Sequence, residues 1–204
     1  MPQISDVADE LRLDVPGAPM PLVERELREA AREFCDKSLA WRYVGDKAAV
    51  TAGQETIDPD LPTESELILV DWLAIDGTRI APTSAADVPP SLADTGPVTA
   101  FRVEGDEIVP MPVPDADATA QVGVIVRPSS TARSIDDALW GHWSDGIKSR
   151  AIARLCLMHG RTWSNPDLGG YHQQRFAAVV ERAKNRGRRG GAIRSMQIRQ
   201  RPMA

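Results

Sequence analysis

The sequence predicts an α+β protein: a helical bundle formed by N- and C-terminal helices, a small antiparallel β module inserted between them, and an extended basic C-terminal arm. Three observations carry this expectation. Apolar residues recur at helical spacing near both ends, at Val23, Leu27, Ala30 and Phe34 and again at Trp143, Ile147, Ala151 and Leu155. Ten prolines lie over residues 59–128, where no long helix can survive. Over residues 182–204 there are eight Lys and Arg and no Asp or Glu. The predicted boundaries are residues 1–45 and 134–184 for the helical domain, 46–133 for the β module and 185–204 for the arm.

Taken in order, Ser5 is placed to cap a short first helix with Val7 and Leu11 on one face. The Pro-Gly-Ala-Pro run at 16–19 ends it. Pro21 suits the first turn of a stronger amphipathic helix reaching about Trp41, with Glu24, Arg28, Glu29, Arg32, Glu33 and Lys37 on its other faces. Residues 67–75 read as a well-buried strand, and Asp76-Gly77 as a hairpin turn into a return strand at 78–81. Residues 82–96 read as a loop. Alternation resumes at 99–103, turns through Glu104-Gly105-Asp106 and continues over 107–111. Pro110, Pro112 and Pro114 favour an edge position there. Val122, Val124 and Val126 face one way in a last strand, giving a module of about four to six strands. Helical spacing returns at Trp143, Ile147, Ala151, Leu155 and Met158, and His159-Gly160 ends that helix. Asn165-Pro166-Asp167 starts the next, striped by His172, Phe176, Val179 and Ala183, and Gly187, Gly190 and Gly191 end regular structure.

The chain has 204 residues, 42% hydrophobic and 26% charged, which is ordinary globular composition. No apolar run approaches the ~18 residues that span a bilayer, so no membrane partner is expected. The first residues have neither the basic nor the apolar region of a signal peptide. The two cysteines, Cys35 and Cys156, sit in predicted helices far apart in sequence, which suits buried thiols in a reducing compartment. The net charge of −5 conceals a division: residues 1–181 carry 29 acidic and 16 basic side chains, against eight basic ones beyond.

Catalytic patterns do not emerge. His142, His159 and His172 fit no metal-ligand spacing, and no nucleophile elbow or phosphate-binding glycine motif is present. Gly187-Arg188-Arg189-Gly190-Gly191 follows a helix rather than preceding one, so the helix dipole does not favour an anion there. The acidic pairs at 58–60, 64–66, 115–117 and 136–137 fall at turns and helix starts, where they serve as caps. Trp41, Trp140 and Trp143 read as core. The expectation is no enzyme, no metal and no cofactor.

The basic arm is the informative segment. Arg186, Arg188, Arg189, Arg194, Arg199 and Arg201 are interleaved with Ile193, Met196 and Ile198. An arm of this kind can order on binding, either on nucleic-acid phosphates or in an acidic, partly apolar protein groove.

The ordered series of signals resembles a known family. The series runs from a short helix and the amphipathic helix 22–41 to the strand Leu67-Ile68-Leu69-Val70-Asp71-Trp72-Leu73-Ala74-Ile75-Asp76-Gly77. It continues through Pro97-Val98-Thr99-Ala100-Phe101-Arg102-Val103-Glu104-Gly105-Asp106-Glu107-Ile108 into Val109-Pro110-Met111-Pro112-Val113-Pro114. A strand ending in Arg127-Pro128 follows, then the helix 147–158, Asn165-Pro166 and the helix holding Phe176-Ala177-Ala178-Val179-Val180-Glu181. This is similar to the head–tail (portal) adaptor proteins of short-tailed bacteriophages, also called tail tubular protein A. The resemblance implies a non-enzymatic virion protein of the neck, assembled in the host cytoplasm, forming a ring of about twelve copies. It further implies that the ring docks under the portal protein, seals the DNA-filled head and receives the next tail component, a nozzle or tail tube protein, while DNA passes through without specific binding. The segment from His172 and the arm 185–204 would reach the portal, so the interface named above becomes the portal-docking surface. The alternative expectation is a nucleic-acid-binding module that uses the Arg-rich arm.

Overall fold

A computed structural model of the chain describes residues 1–83 and 95–188. Four helices frame a sheet: α1 (Ile4–Leu11), α2 (Met20–Ser38), α3 (Asp137–Cys156) and α4 (Pro166–Arg188). Between α2 and α3 run β1 (Arg42–Val44), β2 (Ala48–Val50), β3 (Ser65–Ile75), β4 (Thr78–Pro82), β5 (Thr95–Gly96), β6 (Ala100–Glu104), β7 (Glu107–Met111), β8 (Val113–Pro114) and β9 (Ala118–Pro128).

The sheet overturns the predicted helical bundle with a small antiparallel insert. It is a large curled half-barrel of mixed direction: seven strands in the order β1-β9-β3-β4-β6-β7, with β2 also on β9. β4 runs parallel to β6, and β5 pairs in parallel with β8 in a separate two-stranded piece. Two properties account for the larger sheet. β9 is an eleven-residue strand that takes β1 and β2 along one edge and β3 along the other, so one spine organises four strands. The prolines are also accommodated without breaking the sheet: Pro82 and Pro128 end their strands, and Pro110 sits in β7 at the end of the strand order.

Irregularity in β3 produces the curl. Its register against β9 shifts between Leu67 and Leu69 and again between Val70 and Trp72. Each shift adds a residue on one side, so Leu67, Val70 and Leu73 share a face although they are three apart. They lie opposite Val126, Val124 and Val122, the three valines predicted to share a face. On the other face the added residue sets Trp72 flat on Gly123, where a β-carbon would lie 2.2 Å from the indole nitrogen. β3 is therefore half-buried rather than a buried run, with Leu69 36% exposed. The curl brings the far edge round until Ile57, just after β2, exchanges backbone hydrogen bonds of 2.8 and 3.0 Å with Ile108 on β7. Phe101, Ile108, Leu73 and Ile57 fill the space so enclosed.

The helices cover the β9 side. Phe34 on α2 is fully buried, its ring 5.7 Å from Trp143 on α3 and 6.4 Å from Phe176 on α4. Gly146 lets α3 and α4 approach closely, since a β-carbon there would stand 2.7 Å from Val179. The predicted Ser5 cap is not used: Gln3 occupies the cap position of α1, and Ser5 lies inside the helix. Asp136 caps α3 through the amides of Ala138 and Leu139.

Phe34→Ala should cost about 3–5 kcal/mol, because it opens a cavity where three helices meet and no neighbour can collapse into it. Urea unfolding followed by tryptophan fluorescence and circular dichroism checks this, and a loss near 1 kcal/mol would deny Phe34 that role.

Candidate interface at the end of the last helix

Most charged chemistry in the body is consumed by the fold. Glu26 on α2 is only 3% exposed, and its carboxylate accepts from Arg25 at 2.8 Å and from Arg154 of α3 at 2.6 Å. Two turns further on, Glu33 accepts from Lys37 at 2.7 Å and Arg150 at 2.6 Å. Burial alone would raise both carboxyl pKa values, but the hydrogen bonds and charges of these cations outweigh it and hold both below the ordinary range. Such carboxylates stay ionised and fully partnered, which disqualifies them as general bases.

Members of the acidic pairs flagged in the sequence are engaged by the fold as well. Glu64 accepts the amides of Arg133 and Ser134 and the Ser134 hydroxyl. Glu66 takes Arg32, Arg127 and the Ser130 amide. Asp60 and Asp117 accept loop amides from Asp46 and Ala52. Cys35 and Cys156 are buried, and burial pushes both thiols up, away from the reactive thiolate. His142 and His159 are exposed. The His172 ring meets Tyr171 edge-on at 5.2 Å, and burial together with Arg175 lowers its pKa. Among the described residues, no group of three His, Cys, Asp or Glu side chains is placed to hold a metal.

One of the pockets among the described residues, of about 350 Å³, lies where α4 ends beside the start of α3 and β1. Trp41, Leu139, Trp143 and Ala183 form an apolar floor, each under one-tenth exposed. Arg42, His142 and Arg186 form the rim, and no carboxylate lines it. The Arg186 guanidinium lies over the Trp143 ring, 5.9 Å from its centre. Arg42 is paired with Asp71 at 3.2 Å.

Of the predicted interface residues, the structure brings Arg186 to this rim and places Arg188 on the last turn of α4, which continues through the predicted start of the arm. Arg189, Ile193, Arg194, Met196, Ile198, Arg199 and Arg201 lie outside the described residues. Sequence reasoning missed Trp41, Arg42, Leu139 and His142 as members of one site. The available signal was a tryptophan and an arginine side by side just after a helix, but nothing in the sequence joins them to α3 and α4. No family model matches the chain, and no curated protein matches it either.

The Glu26 and Glu33 pairs set a pH dependence. Because their pKa values are lower folded than unfolded, the stability they supply is fully present above the ordinary carboxyl value of about 4.3 and is lost as pH falls through the lower folded values. The urea midpoint should therefore drop as pH is taken below about 4.3, and Glu26→Gln should flatten that drop. An unchanged slope in the variant would contradict the assignment.

Proposed function

We propose that the chain is the head-to-tail adaptor subunit of a short-tailed bacteriophage. In this reading it forms a ring of about twelve copies that docks beneath the portal, seals the filled head and carries the next tail component. It is a structural protein without catalytic activity, resident in the virion neck. The observation that carries the reading is the division of charge at α4. Residues 1–181 hold 29 acidic and 16 basic side chains, and residues 182–204 hold eight basic side chains and no acidic ones. An acidic body suits a channel that lets DNA slide, because it repels phosphate. A basic end suits attachment to an acidic portal surface, where arginine pairs bidentately with carboxylates and many copies act together. The series of sequence signals resembling the adaptor family supports the same reading. No helix among the described residues is long and apolar enough to cross a membrane.

The test mixes the full chain, and a chain ending at Arg188, with purified portal rings from the same phage. The full chain should crown one end of the portal in electron micrographs. The shortened chain should keep its melting temperature, since α4 is intact, and lose attachment. Undiminished attachment without residues 189–204 would overturn the role given to the arm. No attachment by the full chain, together with DNA binding whose log–log salt slope is about −0.9 per neutralised phosphate, would favour a nucleic-acid-binding module instead.

A further inference from the structure

We propose that copies of this chain join head to tail, the exposed Leu13 corner of one copy entering the pocket between Trp41 and Trp143 of the next. This rests on the ring reading above and names the contact that would build the ring.

The pocket dictates what can fill it. Its floor is aromatic and aliphatic, and its rim carries Arg42, Arg186 and His142 with no carboxylate. The fitting occupant has an apolar tip on a net acidic segment. The chain's own residues 189–204 are a poor match, since they contain four arginines and no Asp or Glu.

The corner between α1 and α2 has the required chemistry. Leu13 is 85% exposed, more than any other large apolar side chain among the described residues. Around it Asp9, Glu10 and Asp14 supply three acidic side chains against the single basic Arg12, and all four are exposed, so the corner is net acidic. The corner is held rigidly: the Leu13 amide donates to Glu10 at 3.2 Å and the Asp14 amide to Leu11 at 3.0 Å, and Leu11 and Val15 on either side are each 1% exposed. A tip fixed in this way binds without a large ordering cost.

Tip and pocket sit at opposite ends of the α3–α4 hairpin. Glu10 is tied to Lys148 in the second half of α3, and the Asp14 charge acts on Cys156 at its last residue. The pocket lies by Leu139 and Trp143 in the first turns of α3 and by Ala183 and Arg186 in the last turns of α4. At 1.5 Å per residue, His142 and Cys156 are separated by roughly 20 Å. The two surfaces cannot meet within one copy. Because they differ, their contact is heterologous, and it repeats from copy to copy and closes into a ring where the rotation allows.

Cysteine pairing tests the contact. Full-length Leu13→Cys and His142→Cys proteins are mixed and oxidised over a concentration series; the native Cys35 and Cys156, at 0% and 1% exposure, stay out of reach. The mixture should give a disulfide-linked dimer that neither variant gives alone. A chain carrying both changes should give a ladder of dimers, trimers and larger species. Arg186→Glu in that chain should abolish the ladder, and adding Asp14→Arg should restore it. A mixture no more cross-linked than its parents, or a ladder indifferent to Arg186→Glu, overturns the contact. If the chain still crowns portal rings in that case, the adaptor reading stands without this contact. A ladder from a chain that ignores portal rings would do the reverse.

Discussion

The packing of Phe34 is the interaction on which the other layers depend. One side chain on α2 packs against Trp143 of α3 and Phe176 of α4, so three helices share a single buried point. The same helix reaches the sheet with its next face: Arg32 donates to the carbonyl of Pro128 at 2.7 Å and to Glu66 at 3.1 Å, and Asp36 accepts from Arg127. These contacts grip the last residues of β9 and the first of β3, the two long strands that organise the sheet. α2 thus fixes the helices relative to one another and all of them relative to the half-barrel. Buried apolar area supplies the strength of this joint, and the ion pairs supply its register.

The second organising fact is how charge is spent. Glu26, Glu33, Glu64 and Glu66 are each engaged by several internal donors. The arginines that satisfy them, Arg32, Arg127, Arg150 and Arg154, are drawn from the body as well. What reaches the surface is a net acidic body and, at the end of α4, a pocket whose rim is cationic. Charge separation over the length of one helix hairpin gives the molecule a polarity that its modest total charge hides.

The helices were legible in the sequence because apolar residues recur in each at the helical period, and Phe34, Trp143, Phe176 and Val179 all occupy the core. The strands from residue 65 to 128 were legible as alternating runs broken by turns. Their assembly into one large sheet was not. The bulges at Ile68 and Asp71 turn an apparently continuous apolar run into a two-faced strand, and a one-residue shift leaves no compositional trace. Parallel pairing of β4 with β6 joins segments separated by a long connection, which local pattern cannot reveal. The pocket was invisible for a related reason. Trp143 lies in the core as its helical spacing implies, yet its edge becomes the floor of a pocket only because Trp41 and the end of α4 arrive from elsewhere in the chain.

These features converge on the α3–α4 hairpin. α3 buries residues around much of its circumference, from Leu139 and Trp143 to Ala153 and Cys156, and it meets α4 closely enough to require Gly146. A helix held on several sides behaves as a strut. The Leu13 corner is braced against one end of it through Glu10 and Lys148, and the tryptophan pocket is built on the other. The distance and angle between the two surfaces are therefore set by the rigid part of the molecule rather than by its loops. In a symmetric assembly that geometry determines whether successive copies close into a ring or run on as a filament. The buried joint at Phe34 controls it, since any shift of α2 would move the corner and the pocket relative to each other.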